Sequence, residues 1–173
     1  MNLQDIRKRT AYDPSAQQTQ KSAARAWLHS LCSNYPVALT LTLKQTITVN
    51  TPVGSYKRQT VREDCDKIAK RFIQKLNREV FGMTAERHGK ALKFLVVVEG
   101  ERSNKNIHLH LAIGALPAHV KFNQVAILVE QAKAKVVEID EQYKVDITDS
   151  GWMEYISKEF GAKDTDNVLW ALA

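Results

Sequence analysis

Cysteine is scarce in this chain of 173 residues. Cys32 and Cys65 are the two present, and no CxxC spacing occurs. That rules out the spacing of a zinc ribbon or redox pair and a disulfide-built fold. Both are expected to be reduced thiols in a cytosolic protein. Long apolar runs are missing too. None approaches the roughly 20 residues that span a bilayer, so no membrane partner is expected. The opening stretch "MNLQDIRKRTAYDPSAQQTQ" lacks the apolar centre of a secretory signal. No GxxxxGK[ST] loop is present, so no fused helicase is expected. Acid is the charge in short supply, with 19 Asp and Glu against 25 Lys and Arg, a formal net charge of +6. A basic excess favours a polyanionic partner, most often nucleic acid.

The chain has no internal repeat, and residues 1–173 are expected to form one domain, with 1–16 a flexible arm. Residues 17–33 carry Ala24, Trp27, Leu28 and Leu31 at helical spacing, ended by Pro36. Residues 37–49, "VALTLTLKQTITV", alternate strictly, which predicts one half-buried strand. Residues 61–81 place Cys65, Ile68, Phe72 and Leu76 on one helical stripe, stopped by Gly82. "KFLVVVEGE" and "IHLHLAIG" predict a hairpin across "RSNKN". Residues 122–137 return to helical spacing and run into an extended stretch in "VVEIDEQYKVDI". "DSGWMEYISKEFG" is a final helix that Asp149 or Ser150 could cap. Strand, helix, strand, strand, helix, strand is the ferredoxin-like, RRM-like split β-α-β-β-α-β sandwich of the α+β class. It has an antiparallel sheet, an added N-terminal helix and a C-terminal helix bearing Tyr155. One sheet face is expected to pack on helices and the other to stay open.

In a strand, residues i and i+2 share a face. His108 and His110 therefore point together onto the open face, while Ile107, Leu109 and Leu111 enter the core. Hairpin pairing brings Glu99 beside them. Glu101 is a competing carboxylate nearer the turn. Thr40, Thr42 and Lys44 join the same face from the first strand. Two imidazoles and one carboxylate can bind a divalent ion and leave positions for substrate oxygens. Two histidines satisfied on a half-exposed strand is the bland alternative. On the last helix, Tyr155 and Lys158 are neighbours at a separation of three. A phenol beside an ammonium group suits a nucleophile, and also suits an ordinary amphipathic helix.

"HLH" at His108–His110, "YISK" at Tyr155–Lys158 and "LTLT" at Leu39–Thr42 resemble the three motifs of the HUH endonuclease superfamily, in its single-tyrosine rolling-circle replication initiators (Rep type). Glu99, nine residues before His108, matches the place where such initiators keep an acidic ligand. The resemblance covers residues 37–160. It implies that Tyr155 attacks a phosphodiester of single-stranded DNA, at an origin hairpin or nick site. Mg²⁺ or Mn²⁺ would sit on Glu99, His108 and His110, with Lys158 steadying phosphate or phenolate. The implied product carries a 5′-phosphotyrosine and a free 3′ hydroxyl, and the bond can be rejoined. Host helicase and polymerase, a cytoplasmic location in a bacterial or other host cell, and a plasmid, phage or small-virus origin follow from the same likeness. Thr40, Thr42, Lys44, Arg102 and Lys105 are the candidate DNA contacts, with Lys57, Arg58, Arg87 and Lys90 as further basic residues in or near loops. A relaxase would need Tyr12 as nucleophile, Tyr143 is a rival tyrosine, and a single-tyrosine transposase shares the motif order. A binding module on the RNA-recognition plan would want stacking aromatics where this chain has histidines.

Overall fold

The structure, a computed structural model, describes residues 22–23, 25–30, 32–100, 106–156, 167–169 and 172. In chain order the elements are β1 (Val37–Leu43), β2 (Thr46–Thr51), β3 (Gly54–Gln59), α1 (Arg62–Phe81), α2 (Met83–His88), β4 (Lys93–Glu99), β5 (His108–Gly114), α3 (Phe122–Lys133), β6 (Ile139–Ile147) and α4 (Ser150–Ile156). Helical residues 25–30 precede them. The main sheet has the order β4-β5-β1-β6, and every neighbouring pair is antiparallel. The fold is therefore α+β, with the strand order and connections of the ferredoxin-like split β-α-β-β-α-β sandwich. No helix among the described residues is long and apolar enough to cross a membrane.

Alternation builds the main core. Leu39, Leu41 and Leu43 of β1, Leu109, Leu111 and Ile113 of β5, and Phe94, Val96 and Val98 of β4 all point one way. They meet Cys65, Ile68, Phe72 and Leu76 of α1 and Val125, Val129 and Ala132 of α3. Cys65 is thus a buried core thiol whose Sγ reaches Val61 O at 3.6 Å, Cys32 is half-buried, and neither is in a disulfide among the described residues.

The first strand is shorter than its alternation predicts. Pairing with β5 and β6 stops near Leu43, and the chain bends at Lys44 and Gln45. Thr46 onward pairs instead with β3 in a separate two-stranded ribbon. The alternation misleads because it runs in phase through the bend: Ile47, like Leu43, is buried. One other boundary moves. Gly82 stops α1 as expected, at φ +58° with its amide on Arg78 O, and the short α2 starts anew after it, but α3 stops at Lys133 rather than at residue 137. Trp27, placed on the apolar stripe by spacing, is exposed, whereas Leu28 beside it is fully buried.

The second sheet face is not open along its whole width. Leu95 and Val97 of β4 and Ala112 of β5 lie under a second apolar cluster with Leu28, Met153, Ile156 and Val168. Residue 168 bridges Val97, and backbone bonds run from Val98 N to Asn167 O (2.8 Å) and from Leu169 N to Val96 O (2.9 Å). These covering residues come from opposite ends of the chain, so local alternation carries no sign of them. Among the described residues, the hollow on this face is lined from β1, β5 and β6.

Candidate active site

The two histidines stand where β5 begins. His108 pairs with Glu99 across the β4–β5 ladder and with Thr42 across the β1–β5 ladder; His110 pairs with Val97 and Thr40. Alternation turns His108 and His110 away from the main core, as the sequence predicts. Thr40 Oγ1 lies 3.0 Å from His110 Nδ1, and Thr42 Oγ1 lies 3.2 Å from His108 Nδ1. Each imidazole is thus oriented through Nδ1 by a threonine on the neighbouring central strand. The two rings are 6.2 Å apart between centroids.

Tyr155 reaches this point from α4. Asp149 caps that helix, accepting the Trp152 amide at 2.6 Å through Oδ1. The buried side chains of Met153 and Ile156 seat the helix on the second cluster. That leaves Tyr155 facing the histidines. Its ring meets His110 edge to face at 5.3 Å, and its hydroxyl donates to Glu99 Oε2 at 3.1 Å. The same carboxylate oxygen is 2.8 Å from His110 Nε2. Threonine 40, histidine 110, glutamate 99 and tyrosine 155 form one hydrogen-bonded chain. His110 is only 3% exposed, whereas Tyr155 is 45% exposed, so the buried end holds and the outer end is accessible.

A hollow of about 320 Å³ opens beside the chain, lined by Ala38, Thr40, His108, His110, Lys144, Asp146, Trp152 and Tyr155. Lys144, Asp146 and Trp152 are the residues that sequence reasoning missed. Alternation in "YKVDI" puts Lys144 and Asp146 on one face, but which face depends on pairing with β1, where Lys144 opposes Thr40 and Asp146 opposes Ala38. Lys144 Nζ is 3.0 Å from Asp146 Oδ2 and holds that carboxyl below its ordinary range through the hydrogen bond. The rival Tyr143 projects from the other face of β6 into the main core, under Lys133. Burial and the nearby Glu130 push its phenol up, away from the ionised form. Lys44 does not line the hollow; its amide bonds to Glu138 O on the far edge of β1. Lys158, Arg102, Lys105, Glu101, Tyr12 and the 1–16 arm lie outside the described residues.

Among the described residues, no three His, Cys, Asp or Glu side chains are gathered as a bound ion would require. Glu99 and His110 bond directly to each other instead. The donor set nevertheless fits a divalent cation in kind. A threonine hydroxyl can donate to a bare Nδ1 or accept from Nδ1–H. Each ring can therefore present a bare Nε2 without losing its orienting partner, the usual arrangement behind a metal-bound histidine. Glu99, His108 and His110 are the residues that would hold the ion. No protein-family model, curated protein or solved structure matches this chain.

Proposed function

We propose that this protein is a single-tyrosine endonuclease and strand transferase of the HUH type, which nicks and rejoins single-stranded DNA as a rolling-circle replication initiator. One observation carries the reading: an accessible phenol hydrogen-bonded to a carboxylate that also bonds an oriented histidine, beside a second oriented histidine, at the edge of a hollow. A tyrosine that merely packed at a helix border would not need that carboxylate.

The residues divide the work as follows. Thr40 and Thr42 fix the imidazole planes. Glu99 accepts the phenol hydrogen and is the group in place to take the proton. Tyr155 Oη then bonds to phosphorus while the bond from phosphorus to the 3′ oxygen breaks, and that oxygen leaves as a hydroxyl after gaining a proton from solvent. Phosphotyrosine keeps the energy of the broken bond, so a later hydroxyl can reverse the exchange without ATP. Mg²⁺ or Mn²⁺ bound through Glu99, His108 and His110 would polarise the phosphoryl oxygens of the scissile group. Lys144 offers a cation to a neighbouring phosphate, and Trp152 offers an aromatic surface to a base. Such an enzyme would work in the cytoplasm with a host helicase and polymerase.

The test is incubation with single-stranded DNA libraries labelled at the 3′ end and Mn²⁺, followed by denaturing gels. Wild-type protein should retain label through a 5′-phosphotyrosine, and Tyr155→Phe should not. Equal adduct from that variant would overturn the assignment.

A further inference from the structure

One residue lining the hollow has no part in the chemistry assigned above. Among the described residues around it, Asp146 is the one acid. A carboxylate repels the phosphates of a passing strand, so its place in a site for a polyanion calls for a different partner. Its surroundings suit a flat ring. The β1–β6 register sets Asp146 opposite Ala38, the smallest side chain lining the hollow, and Trp152 stands beside them. The Trp152 amide is bonded to Asp149, and its side chain packs against the second apolar cluster, so this wall is held in place. The volume, about 320 Å³, lies at the small end of the roughly 300–1,000 Å³ usual for ligand pockets. That is room for one nucleotide rather than for a run of them. Bases of single strands are commonly stacked on aromatic side chains and bonded along their Watson–Crick edges.

The remaining lone pairs of Asp146 decide which edge fits. An ionised carboxylate only accepts, with about two lone-pair sites on each oxygen. The Ile147 amide donates to Oδ1 at 2.9 Å, and Lys144 Nζ donates to Oδ2 at 3.0 Å. Each oxygen keeps one further acceptor site, and the two sites lie side by side. The bond from Lys144 also favours the ionised form. Guanine alone of the four bases carries two adjacent donors on its Watson–Crick edge, N1–H and the N2 amine. Adenine and cytosine each set one amine beside a bare ring nitrogen, whose lone pair would face a carboxylate oxygen. Thymine has a single N3–H between two carbonyls. A two-point, charge-assisted pair is open to guanine, and repulsion between acceptors disfavours the others.

We propose that Asp146 selects guanine as the base that lies against Trp152, in a nucleotide next to the scissile phosphate. This rests on the nuclease reading for the place of that nucleotide, and its test is a binding measurement in which no cleavage occurs. Oligothymidylates of about 12 nucleotides, each with one guanine at a different position, are titrated in EDTA by fluorescence anisotropy. One position should bind at least about tenfold more tightly than plain oligothymidylate. Inosine there, which lacks the N2 amine, should lose most of that gain. The 7-deaza analogue of guanine, altered away from the Watson–Crick edge, should keep it. Asp146→Asn should exchange the preference, because its amide offers one donor and one acceptor. Adenine or cytosine at that position should then bind better than guanine. No tightening by guanine in the wild type, inosine equal to guanine, or a guanine preference that survives in Asp146→Asn overturns the proposal. If the variant fails to fold, the inosine comparison with the wild type decides. A phosphotyrosine adduct without a guanine preference sinks this proposal alone, and a guanine preference without an adduct sinks the nuclease reading alone.

Discussion

The helix-covered face of the sheet and the face bearing the histidines use the same strands, one residue out of phase. On β5, Leu109, Leu111 and Ile113 are fully buried beneath α1 and α3, and each could be exchanged for another apolar residue of like volume. One step along the chain, His108 and His110 face the opposite way and are held by threonine hydroxyls rather than by volume, while Ala112 beyond them packs into the second apolar cluster. Packing tolerates approximation and hydrogen-bonded chains do not. The comparison teaches that stability and chemistry here are separable by face, and mutations should reveal that separation.

The largest effect should come from the histidine face. Tyr155→Phe removes one oxygen, and adduct formation should fall by about 10⁴-fold or more. Its urea unfolding midpoint should barely move, since the side chain is 45% exposed. On the opposite face, Leu111→Ala should cost about 2–5 kcal/mol of stability in urea melts. The protein that remains folded should nick at close to the wild-type rate. If Leu111→Ala lost activity without losing stability, the two faces would not be separable. Thr40→Val keeps the shape of the side chain and deletes the hydroxyl that orients His110. The Mn²⁺ concentration giving half-maximal nicking should rise about 10–100-fold. Lys144→Ala should weaken binding of single strands modestly, and the slope of log K against log salt should lessen by about 1.

The smallest effect concerns the Arg58–Asp64 pair, which ties the β2–β3 ribbon to α1, and its response to pH. The Arg58 guanidinium holds the Asp64 carboxyl below its ordinary value of 3.8, helped by the Val61 amide. A carboxyl depressed in the folded state adds stability above its unfolded value, and that stability is lost as pH falls through the folded value. Asp64→Asn should therefore lower stability slightly at pH 7. It should also flatten the dependence of stability on pH below about 4, as read in melts across acid buffers.

Period-two patterns made much of this legible. They placed Thr40, Thr42, His108 and His110 on one face, and hairpin counting brought Glu99 to their level. Helical spacing put Tyr155 at the border of an apolar stripe, where it stands. Pairings between distant segments were not legible. Lys144 and Asp146 share a face by alternation, but only the β1–β6 register brings that face to Thr40 and Ala38. Leu28 and Val168 cover β4 from opposite ends of the chain, so no local pattern predicts that half of the expected open face is closed. The break at Lys44 was hidden because a bend that keeps phase looks like a continuing strand.

The strand-like residues 167–169 have a mechanical consequence. β6 forms one margin of the sheet, and α4 sets out from it; residues 167–169 are stitched to β4 at the opposite margin. Helix α4, which carries Tyr155, is thus rooted at one margin of the sheet, and a later stretch of the same chain is hemmed to the other. Tension on anything tethered to that phenol runs back through Asp149 and Thr148 into the β6 margin, where the Thr148 amide is tied to Pro36 O.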